Sequence, residues 1–473
     1  MWSRRRFMAA VCVALVCLIA YFQRVPYTAE QQVDNDARWR LATARRVSEL
    51  RRKLKDYYPP GWNHDGPRMN YMALDRLAAC LEQGNCPPGS DTVILLVSHH
   101  FAQARDGWAA GEEVWAHSVH MAFDSLNYTL LYAVDDSEML FIYRSIPDLI
   151  PILLLQPSNV EKCVARNNSY YLDQNLASGF PIDWETPGRH GCVKRVGYEE
   201  GIPLWKMFSW AWWEAPLHPM GRIWTLGPED WGYFKHNLGN TYLGYSVQDR
   251  CERIPFYEQR EHRGLVLAKR ADYMTGNNMA WPDILPDIIS SVPQDENGRA
   301  FELLATASGS LGDKFKGVRN VGPMDRNSWL NEVAKSKFML AVGRPYLSPS
   351  PYDALCFGVP FINVIYSRNK NDPEDRKQWR TQHDALKFFD PPYVYHVLEK
   401  SAEELSAAIL GAINNPIGRW IPPAMTLDAT RERHLELATH DWRSRASTEF
   451  PELYEPSVSL TIRFSLSLTY TRT

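Results

Sequence analysis

Short apolar runs alternate with amphipathic segments through the second half of the chain, and this alternation is the strongest constraint on its fold. Residues 263–269, 301–306, 338–342 and 361–365 are predicted strands, and predicted helices separate them. Continuous apolar strands that alternate with helices are typical of a parallel sheet covered on both faces. In such sheets the ligand binds beyond the carboxyl ends of the strands. The pattern therefore predicts a Rossmann-like domain with a ligand site at that edge.

The first half begins with the same pattern and then loses it. Residues 92–97 and 128–134 are continuous apolar runs, and a predicted helix over residues 111–126 separates them. Strand, helix and strand in this order begin a doubly wound sheet. Residues 157–235 are rich in Trp, Pro and Gly, and their pattern does not indicate an order of helices and strands. Together the two halves predict an α/β protein with two Rossmann-like domains.

The amino terminus combines positive charge with an apolar run. Residues 4–6 are arginines, and residues 7–22 are uninterrupted apolar residues. Such a run spans about 24 Å as a helix, which suits the thinner membranes of the early secretory pathway. The charge holds the amino terminus in the cytosol, so the run predicts a type II, single-pass anchor in the Golgi membrane with a lumenal body. A cleaved signal peptide, which would release a secreted form, is the alternative; the bulky residues 21–24 favour retention.

Residues 27–60 are polar and helix-prone, and they predict a solvated stem. Asp34 and Asp36 within it have the spacing of a metal-binding Asp-x-Asp motif, but a metal site needs a rigid element at a cleft. His117 and His120 share a predicted helix without a third ligand in sight. We therefore expect no metal ion and no bound cofactor.

Cysteine and charge describe the environment of the folded body. Six cysteines lie outside the apolar run: Cys80, Cys86, Cys163, Cys192, Cys251 and Cys356. Cys80 and Cys86 are close enough to form a small disulfide loop, which is common in oxidising compartments. The formal net charge is -3, and no basic stripe occurs beyond the extreme amino terminus. We therefore expect no nucleic-acid partner.

The most informative stretch is residues 341–360, which read AVGRPYLSPSPYDALCFGVP. A strand ends at Gly343, a proline-rich turn follows, and a helix is predicted to begin near Pro351 with Ser350 as its cap. A helix amino terminus at the strand ends offers free N–H groups and a positive dipole end, which suit a pyrophosphate. Asp353 in the first turn can accept hydrogen bonds from two ribose hydroxyls. The alternative is that this acid only complements the helix dipole.

This stretch resembles the donor site of glycosyltransferase family 18, the N-acetylglucosaminyltransferase V type. In that family a Pro-Tyr-Glu-Gly-Pro-Ala-Pro-Leu-Glu-Ala core follows a strand and a glycine. Residues 240–245, 266–269 and 381–383 are similar to the family too, and the matches are collinear over residues 90–420. The resemblance implies a GT-B-type fold with two Rossmann-like domains facing a cleft, UDP-N-acetylglucosamine as donor, inversion at the anomeric carbon and no metal requirement. It also implies a glycan or glycoprotein acceptor.

The resemblance assigns donor-binding roles residue by residue. Asp353 stands where the family has a donor-binding Glu, whereas Leu347 stands where the family has a second Glu, so that acidic contact is absent. Lys269 matches a lysine at a strand end, where a cation can neutralise the leaving diphosphate; a solvated lysine after a strand is the alternative. The other donor-site candidates are Gly343, Tyr346, Ser350 and Trp210. Trp210 matches only loosely, and core packing explains it equally well.

An inverting transfer needs a base within reach of the acceptor hydroxyl. Gly111 and Glu112 resemble the Gly-Glu that begins the first long helix in the family, where the Glu is the base. Glu112 shares a helical face with the apolar Trp115, so we expect it to face the cleft edge and Glu113 to point elsewhere. An ordinary first-turn glutamate is the alternative.

Glu214 is the reserve candidate for the base. It lies between Trp213 and Pro216, and tryptophan neighbours would raise the pKa of its carboxyl. The faces of these tryptophans would also suit an acceptor sugar.

The sequence thus predicts a cytosolic tip and anchor over residues 1–24, a stem over 25–88, a domain with the base over 89–255, a donor-binding domain over 256–450 and a tail over 451–473. The predicted function is transfer of N-acetylglucosamine to a glycan or glycoprotein hydroxyl in the secretory pathway. A catalytically inactive relative that binds glycans or partners is the main alternative. A glycoside hydrolase is disfavoured, because no opposed pair of carboxylates stands out.

Overall fold

The computed structural model describes residues 29–57, 65–108, 110–164, 191–194, 198–213, 218–231, 239–274, 279–281, 283–311 and 317–451. The predicted anchor, the tail beyond residue 451 and the reserve base Glu214 lie outside these ranges. Within them, no helix is long and apolar enough to cross a membrane.

Helices and strands alternate along most of the described chain. The α-helices are α1 (Ala29–Tyr57), α2 (Asp65–Gln83), α3 (His99–Arg105), α4 (Gly111–Ser125), α5 (Asp136–Ser145), α6 (Pro157–Val164), α7 (Gln248–Glu252), α8 (Leu285–Ser291), α9 (Arg326–Lys335), α10 (Ser350–Cys356), α11 (Ala402–Asn414), α12 (Leu427–Thr439) and α13 (Trp442–Glu449). The strands are β1 (Val93–Val97), β2 (Thr129–Tyr132), β3 (Ile152–Leu155), β4 (Met207–Trp210), β5 (Thr225–Gly227), β6 (Thr241–Tyr242), β7 (Arg263–Leu267), β8 (Glu302–Ala305), β9 (Val318–Asn320), β10 (Met339–Ala341), β11 (Phe361–Ser367), β12 (Arg380–Thr381) and β13 (Val394–Leu398).

The first sheet is parallel throughout and has the order β2-β1-β3-β4-β5-β6. Every residue of β1 and β3 is buried, as expected of parallel strands covered by helices. From β1 the chain moves outward to β2 on one side and then to β3 on the other. The point where the strand order reverses therefore lies at the carboxyl end of β1, which α3 and α4 follow.

The second sheet has the order β12-β11-β10-β7-β8-β9, with β13 beside β11, and only the β11–β12 pair is antiparallel. The strand order reverses between β7 and β10, which are neighbours. Lys269 follows β7 and Gly343 follows β10, so both lie where a doubly wound sheet binds its ligand. The two predicted α/β domains are thus present, each with its own parallel sheet.

Helices α1 and α2 form a hairpin that packs on the first sheet, which corrects the expectation of a solvated stem. Val47, Leu50 and Leu54 of α1 are buried in the hydrophobic core. The Asn70 side chain of α2 both accepts from the backbone N–H and donates to the carbonyl of Tyr132, each at 2.8 Å. The many arginines of α1 lie on its outer face, and they hid the apolar stripe that attaches this helix to the body.

The last two helices, α12 and α13, return to the first sheet, although their residues fall within the range 256–450 predicted for the donor-binding domain. The His434 ring meets Phe123 of α4 edge-on at 4.9 Å, and Trp442 meets Phe208 of β4 at the same distance. Because these contacts are apolar and buried, α12 and α13 complete the core of the first domain although they follow the second domain in sequence.

Three disulfides connect the six described cysteines. Cys80 pairs with Cys86, as their spacing suggested, and Cys163 pairs with Cys192. Cys251 of α7 pairs with Cys356 of α10, across 105 residues. Helix α7 contacts α4 of the first domain, since Asp249 lies 3.5 Å from His117. The third disulfide therefore ties α10 of the second sheet to the first domain.

Candidate functional site

A cavity of about 480 Å³ lies between the two domains at the carboxyl ends of their sheets. The first domain contributes Ala110, Gly111, Glu112, Val114, Trp212 and Trp213. The second domain contributes the end of β7 with Lys269, the residue Thr306 after β8, the start of α9 with Arg326 and Trp329, and residues 345–350 with Asp353. Residues from both halves of the sequence thus form one site.

Glu112 lies in the first turn of α4 and lines the cavity. Its neighbour Glu113 is only 3% exposed and points into the domain, where its Oε1 accepts a hydrogen bond from His100 Nδ1 at 2.6 Å. Successive helical residues point about 100° apart, so anchoring Glu113 inside directs Glu112 to the cavity. Glu112 thus lies at the cavity and Glu113 inside the domain, and the role of Glu112 as the base stays a prediction.

The Glu113–His100 contact also compensates for a missing helix cap. Ala110 occupies the cap position of α4 and offers no side-chain hydrogen bond. Burial, the largest single effect, raises the pKa of Glu113, but the hydrogen bond from His100, a backbone hydrogen bond and the charges of His100 and His99 together hold the pKa below its ordinary value. An ionised Glu113 in the first turn favours the helix start electrostatically, so the turn that carries Glu112 is fixed in place.

Two tryptophans form the aromatic part of the first-domain wall. Trp212 is buried and Trp213 is 45% exposed, and both line the cavity. Trp210, a predicted donor contact, does not line it: its ring stacks on Trp115 of α4 with centroids 3.9 Å apart. Trp210 is therefore a core residue, because α4 covers the face of β4 from which its side chain extends.

The loop before α10 is held by two side chains from the segment after β12. Gln382 accepts from the Gly343 N–H at 2.6 Å and donates to the Pro345 carbonyl at 3.1 Å. His383 Nε2 lies 3.0 Å from the Ser348 carbonyl. Gly343 has a φ of 141°, which glycine adopts without strain. It does not line the cavity, but it sets the path of the loop that places Tyr346 and Ser350 there.

Helix α10 differs from the prediction in its first turn. The helix begins at Ser350 with Pro349 at the cap position, so Ser350 lies inside the helix and does not cap it. The Ser350 N–H donates to Ser348 Oγ, the N–H groups of Tyr352 and Asp353 donate to the Pro349 carbonyl, and Pro351 has no N–H. The expectation of free amides at this helix end is therefore wrong, because the tight proline turn already uses them.

Asp353 lines the cavity but is 2% exposed and ion-paired. Its Oδ1 lies 2.6 Å from Arg250 Nε, and its Oδ2 lies 3.9 Å from Arg326 Nη2. Burial raises the pKa of the Asp353 carboxyl, and the two guanidinium groups act in the opposite direction. If this carboxylate accepts a hydrogen bond from a ribose hydroxyl, it must do so while it remains paired with Arg250.

The sequence did not single out Arg250, Arg326 or Thr306. Thr306 follows β8, so the rule that ligands bind at carboxyl ends of strands could have found it. The pairing of Cys251 with Cys356 brings Arg250 to Asp353, but pairing cannot be deduced from sequence. Burial lowers the pKa of Arg326 to about 10, so this residue keeps its charge near neutral pH.

The site offers a carboxylate on one wall and cations on the other. Glu112 can accept a proton from a ligand hydroxyl, and the cationic Lys269 and Arg326 can bind an anion. Within the described ranges, no three His, Cys, Asp or Glu side chains gather as a metal site. The arrangement suits a ligand that joins an anionic group to a polar, hydroxyl-bearing one.

Two parallel sheets that meet at one cavity, with an acid on one side and cations on the other, define a two-domain α/β protein with an interdomain ligand site. The chain belongs to glycosyltransferase family 18, since the model of that family matches residues 207–463. The match covers β4 to β6, the whole second sheet and the returning helices.

Several curated proteins are similar to part of the chain. Alpha-1,6-mannosylglycoprotein 6-beta-N-acetylglucosaminyltransferase A of Cricetulus griseus is 24% identical over 258 residues, which is 51% of this chain and 33% of that protein. The Homo sapiens enzyme of that name is 23% identical over the same lengths. Enzyme B of Homo sapiens is 24% identical over 149 residues, 29% of this chain and 19% of that protein. The matched region thus spans about a third or less of each relative's length.

Solved structures with similar architecture are distant in sequence. An O-GlcNAc transferase mutant of Thermobaculum terrenum has a TM-score of 0.37 and 14% identity, covering 88% of this chain and 81% of that one. UDP-GlcNAc 2-epimerase of Methanocaldococcus jannaschii, in complex with UDP-GlcNAc and UDP, has a TM-score of 0.35 and 10% identity, covering 74% and 99%.

Proposed function

We propose that this chain transfers N-acetylglucosamine from UDP-N-acetylglucosamine to a hydroxyl of a glycan or glycoprotein, with inversion at the anomeric carbon. The observation that carries the proposal is the shared cavity, which is lined by Glu112 of one domain and by Lys269 and Arg326 of the other. Family membership supports the reaction class. The names of the curated relatives, N-acetylglucosaminyltransferases acting on a mannosylglycoprotein, support the donor sugar and the type of acceptor.

Glu112 is the proposed general base. Its carboxylate takes the proton of the acceptor hydroxyl while the oxygen bonds to the anomeric carbon and the bond from that carbon to the diphosphate breaks. The hydroxyl approaches from the face opposite the diphosphate, and this approach inverts the configuration. Such a base must be on the acceptor side of the cavity, and Glu112 is on the wall formed by the first domain.

Lys269 and Arg326 are the proposed partners of the leaving diphosphate. Negative charge on the UDP oxygens grows as the glycosidic bond breaks, and preorganised cations in a partly buried cavity stabilise that charge. Two protein cations can take this role without a metal ion, so we propose a metal-independent transfer. Leu347, where the family has a Glu, removes one acidic contact, so donor preference needs a direct test.

The acceptor side is proposed to include Trp212 and Trp213, which line the cavity together with Glu112. Aromatic faces suit the apolar C–H faces of sugar rings. The three disulfides are favoured in an oxidising compartment. They support the proposal that the protein works in the lumen of the secretory pathway, where the Golgi anchor proposed for residues 1–24 would hold it.

The test is transfer and donor hydrolysis by the purified full-length protein. We expect UDP release from UDP-N-acetylglucosamine to exceed that from UDP-galactose or GDP-mannose, and to persist in EDTA. Glu112→Gln should lower kcat by roughly 10²- to 10⁴-fold, the range for loss of a general base, without weakening UDP binding. Glu403→Gln is the matched control, because Glu403 is an exposed first-turn glutamate of α11. If Glu112→Gln keeps wild-type kcat, Glu112 is not the base.

The second candidate is an inactive relative that binds glycans or partners. Two observations favour it: Leu347 replaces an acid of the family motif, and Arg250 already occupies Asp353 at 2.6 Å. Calorimetric binding of UDP with no sugar transfer or hydrolysis for any donor would support this candidate over the enzyme.

A further inference from the structure

Glu229 is a buried carboxyl that the proposed transfer does not use. It follows β5 at the cavity end of the first sheet and is 2% exposed. Tyr245 of the same domain donates to its Oε1 at 3.3 Å, and Tyr352 of α10 donates to its Oε2 at 3.0 Å. The two tyrosine rings meet edge-to-face at 5.7 Å. We name Glu229, Tyr245 and Tyr352 the carboxyl clasp.

The clasp is an attachment between the domains that differs from the others made by α10. Cys356 and Asp353 both bind helix α7, through the Cys251 disulfide and Arg250. A helix held only through α7 can still pivot with it. The clasp joins the first turn of α10 to the end of β5, and thus to the first sheet itself.

Contacts run from the clasp to both walls of the cavity. On the first-domain side, Tyr245 lies 6.2 Å from the Trp212 ring. On the other side, Tyr352 meets the His383 ring edge-on at 5.1 Å, and His383 contacts the Ser348 carbonyl. Ser348 and Trp212 both line the cavity. The clasp is therefore connected by direct contacts to residues of both walls.

Burying a carboxyl is costly unless its hydrogen bonds are made. Two apolar side chains could join the domains here without that cost, but they would not fix distance or direction as hydrogen bonds do. The family motif quoted above has Leu at the position of Tyr352, so the hydroxyl that reaches Glu229 is a feature of this chain. The carboxyl clasp thus costs folding stability but fixes the distance and direction between the two domains.

We propose that Glu229 is a positioning residue: through Tyr352 it sets the alignment of the wall that carries Glu112 with the wall that binds the diphosphate. This inference rests on the proposed function. The cations proposed for UDP binding belong to the second domain, so loss of the clasp leaves UDP binding largely intact. It lowers kcat, because the base and the donor no longer share one fixed geometry.

The experiment compares Tyr352→Phe, Glu229→Leu and Glu229→Gln in the full-length protein. We expect the first two to lower kcat about tenfold or more, the order expected for a buried hydrogen bond, with the Kd of UDP within about threefold of wild type. Glu229→Gln keeps an acceptor for Tyr352 and should retain most activity. Tyr71→Phe is the control, because it removes a hydroxyl bonded to the Leu54 carbonyl in the α1–α2 hairpin.

Amide hydrogen exchange of the ligand-free proteins supplies a readout independent of activity. We expect faster exchange in residues 350–357 for Tyr352→Phe and Glu229→Leu, but not for Glu229→Gln or Tyr71→Phe. Wild-type exchange and kcat in Tyr352→Phe and Glu229→Leu would overturn the inference, and so would a loss of kcat matched by equal losses of UDP binding. If the wild type transfers no sugar, the proposed function fails, whereas the exchange rates still decide the role of the clasp.

Discussion

Glu229 shows how one buried side chain can couple stability to pH. Burial is the main reason that the pKa of its carboxyl is raised from 4.5 to about 8. The hydrogen bonds from the two tyrosine hydroxyls lower this pKa, and the negative charge of Asp230 raises it further. Between these two values the folded protein holds a proton that the unfolded chain releases. The folded state is therefore favoured at the acidic end of the window, and this contribution is lost as the pH rises to about 8.

Glu229→Gln should remove this pH dependence. For one linked proton, the free energy of unfolding of the wild type should fall, relative to the variant, by up to about 1.4 kcal/mol per pH unit within the window. Urea denaturation of both proteins at several pH values between 4.5 and about 8 measures the difference. Parallel curves for the two proteins would show that Glu229 is ionised in the folded state throughout.

Lys269 is the exposed cation of the proposed donor site, and its removal should weaken UDP binding. We expect Lys269→Met to raise the Kd of UDP about tenfold, since a charge-assisted hydrogen bond is lost, and to reduce the effect of added salt on that Kd. Lys370→Met, at an exposed lysine of the loop after β11, is the control for a change of net charge. Equal Kd values for the two variants would remove Lys269 from the donor site. Isothermal calorimetry with UDP provides the measurement.

Among the elements, α1 differs most from its expected role. Its polar, arginine-rich sequence predicted a solvated stem, whereas its apolar stripe is part of the first core. A helix that contributes core residues cannot act as a free spacer, because its removal would expose the apolar surface beneath it.

Leu50→Ala and Leu41→Ala test this assignment within one helix. Leu50 is 1% exposed and Leu41 is 46% exposed. We expect a loss of about 2–5 kcal/mol in the free energy of unfolding for Leu50→Ala and a change within about 0.5 kcal/mol for Leu41→Ala. Denaturant titration followed by circular dichroism measures both. Similar small effects at the two positions would mean that the hairpin is not part of the cooperative core.

Helix α10 shows why a strand-turn-helix motif does not by itself make an anion site. The motif placed Ser350 and Asp353 at the cavity as predicted. The helix has only seven residues, and the amides of its first turn are already hydrogen-bonded within the loop and helix. The positive charge of the site therefore comes from side chains of other elements, Lys269 after β7 and Arg326 in α9.

The whole molecule depends on links that join segments far apart in sequence. Helices α12 and α13 return to the first domain, and α10 is joined to that domain by the disulfide, the Arg250–Asp353 ion pair and the carboxyl clasp. These links make the relative position of the domains a property of the folded chain, and the cavity depends on that position.

Replacing Cys251 and Cys356 by Ala should destabilise the protein more than the same change at Cys80 and Cys86. The first pair is separated by 105 residues and the second by 6. In the chain-entropy account the losses are about 5 and about 2 kcal/mol. Equilibrium unfolding of the two double variants under non-reducing conditions compares them. An equal loss would contradict the chain-entropy account, in which the disulfide that closes the longer loop contributes more.

The sequence by itself determined the features that depend on near neighbours. Strand runs follow from local periodicity, and parallel sheets bring strand ends to one edge whatever the details of packing. The resemblance to the family then pointed to Glu112, Lys269 and Asp353, and all three line one cavity.

Only the tertiary structure decided which side chains meet across long separations. Arg250 pairs with Asp353, and Tyr352 donates a hydrogen bond to Glu229. Trp115 stacks on the Trp210 ring in the core. No periodicity encodes such pairs, because each partner is chosen by the packing of whole domains. The charge, the fixed amides and the alignment of the site therefore depend on the complete fold.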